Sequence, residues 1–235
     1  MIELKKYYNN RVNNLKPNEH MLQVGHSING VGITQQDLNC IVTDVIKGLS
    51  LSLNDNLLDL CCGNGVITQQ LSKYCQTICA MDISNELIAI AKKSYSTSNI
   101  EYKTKDVYYL SEYIDKKQNI NKVVMFAALQ HFKQSDFTAL LKSILSICGS
   151  NTKIFFGFVT DNEYKWSFHN TLKKKSCYFY RKILNTDMMG TWWDKGFIKK
   201  VCGSLNLSCS FQQLESGRYG YPYRFHCTIY RGETD

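Results

Sequence analysis

Two carboxylates and two glycines in this chain stand at spacings that suit a nucleoside. Leu57-Leu58-Asp59-Leu60-Cys61-Cys62-Gly63-Asn64-Gly65-Val66-Ile67-Thr68 is an apolar run ending in an acid, then a turn of small residues, then the start of a helical pattern. Gly63 and Gly65 let the backbone approach a ligand with no Cβ in the way. A helix beginning near Val66 points its free N–H groups in the same direction. A second apolar run, Thr77 to Met81, ends in Asp82. An acid about 20 residues past a glycine turn, at the tip of the next strand, suits a pair of ribose hydroxyls. Asp82 is also placed to open a helix, since Asn85 and Glu86 follow. A dinucleotide fingerprint needs a third glycine where Thr68 stands, and no phosphate loop ending in Gly-Lys-Ser or Gly-Lys-Thr occurs. The residues suit a nucleoside without a pyrophosphate.

Other side chains could handle a proton or an anion. His131 follows the apolar run that ends near Ala127. An imidazole of ordinary pKa, about 6.5, takes a proton near neutrality; His131 is equally placed to cap or pack the next helix. Tyr223-Arg224-Phe225-His226 opens a strand pattern, and alternation sends Arg224 and His226 to one face. Arg224 suits bidentate contact with a phosphate or carboxylate. The ten cysteines form no CxxC pair, so neither a zinc site nor a thioredoxin-type site is expected. Most of them fall inside apolar patterns and read as small buried hydrophobes in a reducing compartment.

The elements that would position these groups alternate. Strand-like runs at 57–61, 76–81, 100–104, 121–127 and 152–159 are mostly separated by helical stretches at 66–74, 85–95 and 133–147. Such alternation predicts a parallel sheet covered by helices, with ligands at the carboxyl ends of the strands. Asp59, Asp82, Asp106 and the segment from Ala127 to His131 all fall at such ends. Residues 1–50 read as an N-terminal cap: a polar, partly helical lead-in, a glycine-rich loop from Gln23 to Gly32, and a helix opened by Thr34 as N-cap with Asp37. After Val159 the alternation lapses. Residues 160–192 form an insertion, a helix-like stretch covers 192–202, and strands are expected near 206–213 and 223–231. Within the insertion, Lys173-Lys174-Lys175 and Arg181-Lys182 flank aromatics. The spacing of Leu172, Tyr180 and Leu184 predicts an amphipathic helix with these apolar residues buried and the cations solvated.

The chain resembles the class I S-adenosylmethionine (SAM) dependent methyltransferases over residues 20 to 230. Asp59 to Gly65 looks like their first motif, Asp82-Ile83-Ser84 their second, Lys105-Asp106-Val107 their third, and Ala127-Ala128-Leu129-Gln130-His131-Phe132 the segment after their fourth strand. The resemblance implies a Rossmann-like α/β fold: seven strands, mostly parallel, with an antiparallel C-terminal hairpin and helices on both faces. It implies one domain spanning 1–235, SAM as cofactor and S-adenosylhomocysteine as product. Gln23, His26, Asp59, Cys61, Gly63, Gly65, Asp82, Ile83, Asp106, Val107, Ala127 and Leu129 would then bind the cofactor. Asp82 would take the ribose hydroxyls, and Asp106 with Val107 would frame the adenine. Asp59 would organise the glycine turn through backbone N–H groups, or reach the ammonium through water. Cys61 stands where the family's first glycine does; a thiol fits there if the backbone keeps a negative φ.

Tyr8, His131, Trp193, Tyr223 and Arg224 are the expected acceptor-binding residues, with His131 as base and 160–192 as part of the pocket. The Asn/Asp-Pro-Pro-aromatic motif of amino-directed nucleic-acid enzymes is absent after the fourth strand. Segments near Gly25, Met189 and Tyr223 are similar to methyltransferases of bacterial surface-polysaccharide biosynthesis. With a formal net charge of +8, the expected partner is a small polar anionic acceptor, methylated on oxygen or nitrogen, rather than nucleic acid or a membrane. No run is long enough to span a bilayer and no signal-peptide pattern opens the chain, so a cytoplasmic location is expected. Two alternatives stay open: an RNA or protein methyltransferase using 173–182, whose affinity would fall steeply with salt, and a SAM-binding protein that transfers nothing.

Overall fold

The computed structural model describes residues 2–115, 118–184, 186–187 and 189–231. In chain order, α1 (Ile2–Asn13) and the short α2 (His20–Gln23) lead into a two-stranded hairpin, β1 (Ser27–Ile28) and β2 (Val31–Gly32), and then α3 (Gln35–Leu49). The alternating core follows: β3 (Asn56–Leu60), α4 (Val66–Leu71), β4 (Thr77–Asp82), α5 (Asn85–Ser94), β5 (Ile100–Thr104), β6 (Lys122–Phe126), α6 (Phe137–Ile147) and β7 (Lys153–Thr160). The last part holds α7 (Lys165–Phe168), α8 (Leu172–Ile183), α9 (Lys195–Ser204), β8 (Ser208–Gln213) and β9 (Arg224–Tyr230).

The main sheet has seven strands in the order β5-β4-β3-β6-β7-β9-β8. β3 pairs in parallel with β4 and β6, β4 with β5, and β6 with β7. β9 inserts antiparallel between β7 and β8, which gives the expected C-terminal hairpin. The order reverses at β3, whose neighbours β4 and β6 carry the chain toward opposite edges. A crevice opens at the carboxyl ends there, where open α/β sheets hold ligands.

Strand alternation separates two cores. Leu58, Leu60, Met81, Val123, Met125, Ile154 and Phe156 pack on one face with α6 and α9. Leu57, Ile78, Ala80, Val124 and Phe155 pack on the other with α3 and α4. Burial on both faces explains why these strands read as unbroken apolar runs. The predicted capping box is present: Asp37 N–H donates to Thr34 Oγ1, and Thr34 N–H donates to Asp37 Oδ2. The expectation for α8 is half met. The helix forms, but Leu172, Tyr180 and Leu184 are exposed and Tyr178 is its buried residue. Sequence period fixes that a helix has an apolar stripe, not which way the stripe faces.

Candidate active site

Strained backbone collects at the strand ends. Cys61 follows β3 with φ 59°, Ala127 follows β6 with φ 52°, and Phe158 lies in β7 with φ 61°, where the pairing with β9 shifts register. Left-handed backbone costs a side chain about 1–3 kcal/mol, and such residues gather at functional sites. The expectation of a negative φ at Cys61 is therefore wrong. Cys62 N–H donates to Met81 O at 3.1 Å, which extends the β3–β4 ladder into the turn and holds Cys61 in the unfavourable region.

Asp82 organises the turn. Its Oδ2 accepts from Gly63 N–H at 3.0 Å and its Oδ1 from Ser84 N–H at 2.9 Å. The expectation gave the turn's backbone bonds to Asp59; instead, Asp59 Oδ2 accepts from the Thr68 hydroxyl at 2.7 Å. Nor does Asp82 cap α5, because Ser84 does, with its hydroxyl accepting from Leu87 N–H. Burial pushes both acids up, Asp59 to about 7, with the Asp82 charge adding to the rise and the Thr68 hydroxyl opposing it. Neither forms an ion pair among the described residues. Two buried carboxylates, neither ion-paired among the described residues, border one cavity, whose wall also includes Lys105.

α1 lies over this cavity. Its Asn9 Oδ1 accepts from Ser84 Oγ at 2.7 Å, and its Tyr8 hydroxyl lies 3.1 Å from His131 Nε2. Tyr8, Val24, His26, Ala127 and His131 also border a second depression that runs out over α8. Arg224 forms part of its wall. Arg224 Nη1 donates to Phe158 O at 2.7 Å and to Gln130 Oε1 at 3.1 Å, the guanidinium lies 4.6 Å from the centre of the Phe158 ring, and Nε has no partner. It forms no ion pair among the described residues, and burial brings its pKa down to about 10. His131 and His26 are both lowered to about 4, by burial first and by the Arg224 charge second. His226 shares the Arg224 face, as alternation predicts. Its Nδ1 accepts from Phe158 N–H at 3.1 Å and its Nε2 lies 3.3 Å from Asp44 Oδ2.

Residues 57–151 match the family model described as a methyltransferase domain, the stretch from β3 to just before β7. A Schizosaccharomyces pombe protein described as an uncharacterized methyltransferase is 38% identical over 53 residues, 23% of this chain and 20% of that protein. A probable cobalt-precorrin-6B C(15)-methyltransferase (decarboxylating) of Methanococcus vannielii is 30% identical over 84 residues, 36% of this chain and 44% of that protein. The matched stretches thus span less than half the length of either relative. Among solved structures, a DhpI-SAM-HEP complex superposes with a TM-score of 0.65 at 18% identity, covering 97% of this chain and 96% of that one. Magnesium protoporphyrin IX methyltransferase from Synechocystis, with bound SAH, gives 0.64 at 16% identity over 98% and 99% of the two chains. The fold is that of the class I SAM-dependent methyltransferases.

On this methyltransferase fold the sequence-derived residues sort by place. Tyr8, His26, Asp59, Cys61, Gly63, Asp82, Ile83, Val107, Ala127 and His131 border the cavity. Six others do not. Gln23 is buried behind the glycine turn, accepting from Asn64 Nδ2 at 3.1 Å. Asp106 accepts from Tyr108 N–H at 3.1 Å and caps a 3₁₀ turn. Leu129 lies in the core under α6. Trp193, expected against the acceptor, is fully buried on Phe137 with its Nε1 donating to Leu129 O; Trp192 faces the other way, onto Phe168 and His169. Tyr223 packs on Phe168 outside both depressions. Gly65 N-caps α4 at φ 81°, and a Cβ there would come within 2.5 Å of the Tyr102 hydroxyl. Gly65→Ala is therefore expected to cost about 1–3 kcal/mol of stability; an unchanged urea midpoint would contradict this packing.

Sequence reasoning missed Leu4, Val24, Phe126 and Phe132 on the cavity wall. Leu4 and Phe126 read as lead-in and core with no local signal, whereas Val24 lies in the glycine-rich loop and Phe132 ends the segment after the fourth strand. It also missed Gln130, which donates to Ala127 O at 2.8 Å while accepting from Arg224. The cavity fits SAM in chemistry. Asp59 and Asp82 are acceptors with no ion-pair partner among the described residues, suited to an ammonium and to ribose hydroxyls. Gly63 lines the cavity beside Asp82, where a Cβ would come within 2.7 Å of Val24 Cγ1. Among the described residues no group of three or more His, Cys, Asp or Glu converges on a metal position, and no helix is long and apolar enough to cross a membrane.

Proposed function

We propose that this chain binds SAM and transfers its methyl group to an oxygen or nitrogen of a small polar acceptor carrying a phosphate or carboxylate, such as a phosphorylated sugar or amino alcohol of surface-polysaccharide biosynthesis. The polysaccharide setting rests on sequence resemblance. The acceptor chemistry rests on one observation: Arg224 is a buried guanidinium that has no carboxylate partner among the described residues, with Nε unpaired among them, beside His131. Burying an unpaired charge is costly, and an anion on Arg224 offsets that cost. The Methanococcus vannielii methyltransferase and the Synechocystis enzyme are each named for a small-molecule substrate, which supports a small-molecule acceptor; the first is named for methylation at a carbon, C(15), so the choice of oxygen or nitrogen does not rest on them.

Bound SAM supplies a methyl on a sulfonium, for in-line displacement by a nucleophile about 3 Å away on the far side from sulfur. In this reading Asp82 holds the ribose and Asp59 faces the ammonium. Residues 1–50 close over the cofactor, and 160–192 build the outer wall of the acceptor pocket. Tyr8 and His131, at the junction of the two depressions, carry the proton: the acceptor's proton passes to Tyr8 Oη while the Tyr8 proton passes to His131 Nε2. His131 is neutral at pH 7, since it is lowered to about 4. An anion against Arg224 removes the repulsion that helps hold it there, so proton affinity rises once the acceptor is bound.

The test is a methyl-transfer screen of phosphorylated sugars and amino alcohols with radiolabelled SAM. Wild type is expected to label at least one, and His131→Ala to lose about 10²–10⁴-fold in rate with SAM affinity retained. SAM binding with no transfer to any acceptor would favour a non-catalytic binding protein.

A further inference from the structure

α8 is amphipathic the wrong way round for a helix on a protein surface. At about 100° per residue, Leu172, Ser176, Phe179 and Ile183 fall on one stripe, with Tyr180 at its edge. This stripe faces solvent: Leu172 is 85% exposed, Ile183 79%, Tyr180 64% and Phe179 55%. Lys174 and Arg181, on the opposite side and themselves exposed, border the outer depression with buried Tyr178. The stripe is edged by Lys175 and Lys182 on one side and Lys173 on the other. Of the twelve residues, five are cationic and none is acidic. Half-exposed Trp166 extends the patch from α7, its ring under Lys165 at 4.7 Å and Lys175 at 5.7 Å.

We propose that this face of α8 docks on an anionic lipid bilayer. An apolar stripe with an aromatic belt and a rim of lysines is what an interfacial helix presents: apolar groups enter the acyl boundary, and lysine stems reach outward to acidic headgroups. A second copy is a poorer occupant, because two such stripes face to face would oppose one lysine rim with another on chains of formal charge +8. The absence of a spanning segment does not bear on this mode, since the helix would lie in the interface plane. The inference is independent of methyl transfer: it concerns the outer side of a helix whose inner side faces the depression.

The experiment is flotation of the full chain with vesicles of pure phosphatidylcholine and of phosphatidylcholine with about 30% phosphatidylglycerol, beside Leu172→Glu and Ile183→Glu. Both substituted residues are outside the cavity, so SAM affinity measured on each variant reports that it has folded. Wild type is expected to float with the anionic vesicles only, to release as salt rises, and to lose about tenfold or more of its partitioning in either variant. No flotation with anionic vesicles, equal flotation with neutral ones, or binding that survives both substitutions would overturn the proposal. So would a wild-type dimer in sedimentation that Ile183→Glu dissociates, which would assign the stripe to a second copy.

Discussion

Asp82→Ala is expected to weaken SAM binding by about 10²–10³-fold in calorimetric titration, the sum of two charge-assisted hydrogen bonds to ribose hydroxyls. Asp82 is buried, and its oxygens already accept from Gly63 and Ser84 N–H groups, so each has one further acceptor direction for the ligand. The same substitution frees the glycine turn. Asp82→Asn is no neutral control, because its amide can accept from one of the two N–H groups and would set NH₂ against the other. A urea midpoint on each variant separates a lost anchor from a lost turn. Unchanged affinity in folded Asp82→Ala would remove Asp82 from the site. The titration also carries a proton signature. Asp59 rests at about 7, so near neutrality it is partly protonated, and a cation beside it favours the carboxylate. Binding should then release a proton, read as a heat that differs between phosphate and Tris buffers. Affinity should rise as pH rises toward 7 and flatten above it. Heats independent of buffer would mean that Asp59 does not face the ligand's ammonium.

The parallel core was legible because its strands are buried on both faces. Leu57–Leu60 and Val123–Phe126 have no polar face apart from Asp59 to blur the run, and each run gives way to small residues at the crevice, Cys61 and Ala127. Caps were legible for a related reason: the Thr34–Asp37 box is a contact between near neighbours in sequence. What could not be read depends on phase or on distance along the chain. Trp192 and Trp193 are identical neighbours, and only the bridge between Asp161 and Trp193 decides which one enters the core. Cys61 tells nothing of its own φ, which is set by the Cys62–Met81 bond. The choice between Asp59 and Asp82 as organiser of the turn depends on the β3–β4 register, which sets Asp59 opposite Ala80 and carries Asp82 one residue past the end of β3. Gln130 and Arg224 are 94 residues apart; no local pattern joins them.

Arg224→Met is expected to lower kcat/KM for the acceptor by about 10²–10⁴-fold while leaving SAM affinity unchanged. Methionine approximates the volume without the charge. Folding should survive, because the substitution removes a buried guanidinium that has no carboxylate partner among the described residues, and loss of an uncompensated charge offsets the loss of bonds to Phe158 O and Gln130 Oε1. Arg224→Lys keeps the charge but loses the planar fork, so it should fall between wild type and Arg224→Met. A second readout is independent of any acceptor. The Arg224 charge is the second cause of the low His131 pKa, so in Arg224→Met the His131 ring should titrate above its wild-type value of about 4 by NMR. It should stay below the ordinary 6.5, because burial remains the larger cause. A raised His131 pKa with unchanged kcat/KM would show that Arg224 sets the electrostatics of the site without touching the acceptor. An unmoved pKa with lost activity would mean the reverse: Arg224 binds the acceptor's anion, and His131 is held neutral by burial alone.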